Sequence, residues 1–198
     1  MDLHNATVQQ ISARVKQFHD GKKPFYIYHG STNSTRPSKK STSNTIDTSS
    51  LNRAISIDRT RRVALFEPNV PMDMLVSAFL PTDSFHQCFL DRTISWIEIV
   101  IGNGEILHAS PNENSDLLFG AACSFGTLGV TTLLELQLIE LPASPVVELT
   151  YFPISGIDEA IRKIEELTPN PTYQYLDGIM FTKTKGCICA GSITSLVE

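Results

Sequence analysis

The chain has 198 residues, 41% hydrophobic and 19% charged, enough for one large or two small domains with a real core. Its 21 acidic side chains outnumber 16 basic ones, and a net charge of −5 argues against a nucleic-acid partner. No apolar run approaches the roughly 18 residues of a membrane-spanning helix, and Met1-Asp2-Leu3-His4-Asn5 lacks the basic start of a signal peptide. A cytoplasmic or peripherally membrane-associated protein is the expectation.

Val8, Ile11, Val15 and Phe18 recur at helical spacing, with Asn5 as N-cap and Gly21 as the stop. Phe25-Tyr26-Ile27-Tyr28 then reads as a buried strand, followed by the small, polar, Gly-led stretch His29-Gly30-Ser31-Thr32-Asn33-Ser34-Thr35-Arg36. A glycine at a strand end permits positive φ and lets a ligand approach the backbone. Hydroxyls, one amide, backbone N–H groups and a guanidinium supply the many short donors that a diphosphate needs. A solvated Ser/Thr loop is the competing reading of the same composition. The stretch is not a P-loop, because no Gly-Lys-Ser/Thr follows, and its single glycine excludes a GxGxxG turn.

Strands are expected at 54–57 and 63–66 around a polar turn, and Pro71 opens a helix whose apolar face is Met72, Leu75, Val76 and Phe79. Residues 94–101 form a strand, Asn103-Gly104 a type I′ turn, and 105–109 the returning strand. Asn114 or Ser115 caps a short helix. Gly126-Thr127-Leu128-Gly129 feeds a long strand over 130–141; its two glycines suit either a flat ligand lying on the backbone or an ordinary bulge. Pro142 and Pro145 mark a boundary. Beyond it a strand (146–152), a helix capped by Ser155 (157–167) and two strands (176–181 and 187–193) suggest half of a ferredoxin-like sheet with an open edge. The four cysteines, at 88, 123, 187 and 189, lack metal spacing and read as reduced thiols. Cys187 and Cys189 are expected to share an edge only where their strand breaks.

Residues 28–36, together with Glu67-Pro68-Asn69-Val70-Pro71-Met72-Asp73-Met74-Leu75, Trp96-Ile97-Glu98-Ile99-Val100 and the stretch from Ser124 to Glu135, carry a resemblance. They are similar to the delta-24-sterol reductase-like (diminuto) group of the vanillyl-alcohol oxidase and p-cresol methylhydroxylase flavoproteins. The resemblance implies an α+β fold: a PCMH-type FAD-binding domain over 1–141, then the start of a ferredoxin-like cap, or substrate, domain over 142–198. It implies FAD as cofactor, NADPH as electron donor, a sterol or other hydrophobic substrate, and flavin-mediated reduction of a carbon–carbon double bond in the sterol side chain. His29, Gly30, Ser31, Thr32, Asn33 and Ser34 would hold the diphosphate, and Gly126, Thr127, Gly129 and Val130 the flavin or ribityl side. His29 is either a covalent flavin attachment point, as in some superfamily members, or a structural histidine. No catalytic residue and no metal ligand is assigned.

The sequence departs from that group in one place. Relatives carry a second, Gly-rich flavin loop between the helix ending near Leu80 and the segment written here Phe89-Leu90-Asp91-Arg92-Thr93. Here only residues 82–88 bridge the two, no glycine occurs between Gly30 and Gly102, and the chain ends before a full cap domain. Two readings therefore stand: an FAD-dependent oxidoreductase, or a non-catalytic fragment that binds flavin weakly or not at all.

Overall fold

The computed structural model describes residues 1–30, 41–79, 84–86, 93–122, 124, 126–142 and 144–195. It is an α+β arrangement dominated by antiparallel sheets, in two compact units, Met1–Ile139 and Glu140–Glu198. No helix among the described residues is long and apolar enough to cross a membrane. The bridge at 82–88 lies outside the described residues except for the backbone of 84–86.

The first unit begins with α1 (Asp2–Asp20), whose stripe Val8, Ile11, Val15 and Phe18 is buried throughout. The helix starts at Met1 rather than Asn5, whose own N–H already donates to the Met1 carbonyl at 2.9 Å. Gly21 ends it, donating to the Gln17 carbonyl at 3.1 Å. Next come β1 (Tyr26–Tyr28) and β2 (Thr45–Asp47), which pair in parallel with Tyr26 opposite Thr45 and Tyr28 opposite Asp47.

The larger sheet follows the path β3 (Ala54–Asp58), β4 (Val63–Phe66), β8 (Gly129–Glu140), β6 (Ile94–Ile101) and β7 (Ile106–Ala109), all antiparallel neighbours. A short strand, β5 (Ser84–His86), also pairs with β8. Successive strand residues face opposite ways, so β6 serves two cores. Ile97 and Ile99 pack with Phe66, Leu134 and Leu136 against Leu75 of α2 (Met72–Phe79) and Leu118 of α3 (Ser115–Ala121). Val100 and Val130 turn to the other face and meet α1, with Ile46 and Leu51. Each such burial is worth about 1.5–3 kcal/mol, so α1 is held mainly by this contact.

The turn between β6 and β7 differs from expectation. A type I′ turn needs positive φ at both central residues, but only Gly104 has it, at +89°. Gly104 N–H bonds the Ile101 carbonyl at 2.8 Å and Ile101 N–H bonds the Glu105 carbonyl at 2.9 Å, a three-residue loop with its left-handed residue last. The reason is α1: a Cβ on Gly104 would stand 2.9 Å from the Ser12 carbonyl, and Ser12 Oγ donates to Gly104 O at 2.6 Å.

The second unit consists of β9 (Pro145–Ile154), α4 (Ile157–Leu167), β10 (Tyr175–Thr182) and β11 (Lys185–Ser195) in the order β10-β11-β9. Since β11 is antiparallel to both neighbours, β9 and β10 run parallel with α4 as the crossover, a split β-α-β unit. Phe152, Ile154, Leu176, Ile188 and Ala190 pack with Ala160 and Leu167 of α4. Gly156 takes the cap position, while Ser155 donates its N–H to Glu159 at 2.7 Å and its hydroxyl to the same carboxylate. Those hydrogen bonds hold the Glu159 carboxyl below the ordinary range. Tyr151, Ile179 and Phe181 stay exposed around an apolar cavity of about 360 Å³ that Cys187 and Cys189 also line. The strand is unbroken there: residues two apart share a face by the period of a strand, which corrects the expectation for this thiol pair.

Candidate functional site

Parallel strands bring their carboxyl ends together, and ligands of α/β proteins approach such ends. At the ends of β1 and β2 the backbone turns out through His29 and Gly30, both exposed. Gly30 has φ +82°, and a Cβ there would lie 3.1 Å from the Ser49 Cβ, so the position favours glycine on both counts. Ser31, Thr32, Asn33 and Ser34 lie outside the described residues. Tyr28, Thr45, Asp47, Ser41 and Thr42 line a cavity of about 570 Å³ beside this corner. Asp47 is taken up locally, since its Oδ1 accepts from both Ser49 N–H (2.9 Å) and Ser49 Oγ (2.6 Å).

The structure brings the 126–130 segment next to β1. Gly126 has φ +77°, and a Cβ on it would approach Ile27 Cδ1 to 2.7 Å. Both residues line an open cleft of about 810 Å³, together with Thr127, Tyr26, Lys22 and Lys23. The two lysines, which sequence reasoning passed over, place positive charge where an anion would be favoured. Thr127 closes a local turn, its N–H and Oγ1 donating to the Ser124 carbonyl at 3.1 and 2.7 Å. The side-chain positions of Gly129 and Val130 are taken up by packing. A Cβ on Gly129 would sit 2.6 Å from the Val100 carbonyl, so β6 needs glycine there, and the Val130 side chain is buried in the α1 core. A ligand would therefore reach this segment through Gly126, Thr127 and backbone groups.

A buried polar cluster braces the same unit. His4, fully buried in α1, has Nδ1 2.9 Å from Glu67 Oε1 and Nε2 3.2 Å from Glu98 Oε1. Glu67, also fully buried, accepts from Arg53 N–H (2.8 Å), Nε (3.1 Å) and Nη2 (2.7 Å). Burial pushes the Glu67 carboxyl up, but the hydrogen bonds from Arg53 and His4 outweigh it and hold the group below the usual carboxylate range. Thr132 Oγ1 donates to Glu98 Oε1 at 2.6 Å. The signal for this cluster was present in sequence: His4 continues the stripe of Val8, Ile11 and Val15, and Glu98 shares a strand face with Val100. His108 packs its ring, tilted by 41°, against Trp96 with 4.9 Å between ring centroids, and its Nδ1 lies 3.1 Å from Glu113 Oε2. Among the described residues no cluster is arranged to hold a metal ion.

Known proteins add a family direction to this geometry. The delta(24)-sterol reductase of Macaca fascicularis is 29% identical over 101 residues, which cover 51% of this chain and 19% of that protein. The Homo sapiens protein of the same name is 28% identical over 101 residues, with the same two shares. That of Arabidopsis thaliana is 30% identical over 114 residues, 54% of this chain and 20% of the relative. The chain resembles delta(24)-sterol reductases. It matches them over about a fifth of their length, and no protein-family model matches it.

Proposed function

We propose that this chain is the flavin-binding part of a sterol reductase-like oxidoreductase, with FAD held against the carboxyl ends of β1 and β2. The observation that carries the reading is a left-handed glycine on either side of β1: Gly30 follows the strand beside a cavity lined by hydroxyls, and Gly126 packs on Ile27 of the strand in a cleft lined by Lys22 and Lys23. FAD, when bound, would supply hydride chemistry, passing hydride from a nicotinamide donor such as NADPH to one carbon of a sterol side-chain double bond while the other carbon takes a proton from water or an acidic group. Gly30 offers its backbone to the diphosphate without side-chain bulk, and the hydroxyls of 31–34 lie in the segment that follows it. Lys22 and Lys23 would favour an anionic part of the ligand in the cleft at the start of β1, where Gly126 with Thr127 leaves room for the ribityl side. The resemblance to delta(24)-sterol reductases supports the substrate class, and the open apolar face of the second unit suits a hydrophobic molecule.

The visible spectrum of the purified protein tests this. Flavin absorption near one equivalent after reconstitution with FAD supports the proposal. A folded, colourless protein that shows no saturable FAD binding leaves the non-catalytic reading standing.

A further inference from the structure

We infer that Thr48 and Asn69 are positioning residues for the Gly30 corner, a role that rests on the flavin reading above. Thr48 is 2% exposed and directs two donors at one acceptor: its N–H and Oγ1 lie 2.8 and 3.0 Å from the Tyr28 carbonyl. That carbonyl belongs to the last residue of β1, immediately before His29 and Gly30. The next residue, Ser49, forms the floor beneath Gly30. Thr48 is itself held from behind. Its carbonyl accepts from Asn69 Nδ2 at 2.6 Å and from Leu51 N–H at 2.9 Å, while Asn69 N–H donates to the Leu51 carbonyl at 2.9 Å.

Asn69 is fixed in turn because it stands two residues beyond Glu67, with Pro68 between them. Glu67 is anchored by Arg53 and His4, and its N–H bonds the Arg53 carbonyl at 2.9 Å. The contacts form one continuous relay from the buried ions, through Asn69 and Thr48, to the backbone of the strand end. A diphosphate cradle depends on where backbone N–H groups point, and an error of about 0.5 Å or 10–20° in supporting residues is enough to spoil such a site. The relay touches the strand end, not the ligand, so Thr48 and Asn69 act through Tyr28 and Ser49.

The decisive pair of variants is Thr48→Val, which keeps the shape and removes the hydroxyl, and Thr48→Ser, which keeps the hydroxyl. FAD affinity is read by quenching of flavin fluorescence on titration with the whole protein, and melting temperatures are recorded alongside. Thr48→Val is expected to weaken FAD binding about tenfold or more, with Thr48→Ser near wild type. Wild-type affinity in Thr48→Val, or equal loss in both variants, overturns the positioning role. A wild-type protein that binds no FAD defeats the flavin reading itself. Amide hydrogen exchange without FAD then decides the relay: faster exchange at 28–30 in Thr48→Val and Asn69→Leu, with α1 and β6 unchanged, supports it, and unchanged exchange at 28–30 removes it.

Discussion

Gly30 would meet two penalties if it were given a side chain. Its φ of +82° costs a β-branched residue on the order of 1–3 kcal/mol, and the added Cβ would press on Ser49. Gly30→Val is therefore expected to abolish flavin retention, read as a colourless eluate after reconstitution; a Gly30→Val protein as yellow as wild type excludes this corner as the cofactor site. Gly129 carries a different expectation. Its obstacle is the Val100 carbonyl at 2.6 Å, a backbone atom that cannot swing aside, so Gly129→Ala forces β6 and β8 apart. Overpacking of this kind costs about 1–3 kcal/mol, and a lowered urea midpoint with an unchanged slope is the expected result. An unchanged midpoint would mean that the strand pair yields freely at Gly129.

At the scale of elements, α1 is the piece whose burial the sequence announced most clearly, because Val8, Ile11, Val15 and Phe18 keep one angular position along the helix. Ile11→Ala removes a fully packed side chain from that seam and is expected to cost about 2–5 kcal/mol in chemical denaturation. The strands at 63–66 and 94–101 and the helix at 157–167 were legible for the same reason: their periodicity is a property of the local residues. What escaped the sequence depends on partners far along the polypeptide. The Gly102–Gly104 loop is shaped by Ser12 and Lys16 pressing on Gly104. The start of α1 moved to Met1 because a helix takes up an extra turn when its first residues find a burial partner, here His4 among Glu67 and Glu98. Of the candidate site, the Gly-led loop and the Gly126 turn could be named from sequence. The packing of Gly126 on Ile27 could not, since no local pattern reports which strand a turn will touch.

For the molecule as a whole, the buried carboxylate of Glu67 couples stability to acidity. Its carboxyl group is held below the ordinary range in the folded state by Arg53 and His4, against the opposing effect of burial. The stabilisation is thus fully present above the unfolded carboxylate value of about 4.3 and disappears as pH falls through the lowered folded value. Melting temperatures from pH 7 to pH 3 are expected to fall more steeply for wild type than for Glu67→Gln, with the two curves converging at the acid end. Parallel curves would assign acid sensitivity to other groups.

The clasp around His4 also bears on how the protein is made. Residue 4 leaves the ribosome well before its partners, which stand 63 and 94 positions later, and Thr132, which completes the setting, is later still. At synthesis rates of roughly 5–20 residues per second, α1 must wait on the order of ten seconds with its greasy stripe uncovered. During that interval Val8, Ile11, Val15 and Phe18 are available to whatever binds nascent apolar segments, so this helix is where a chaperone would find the protein.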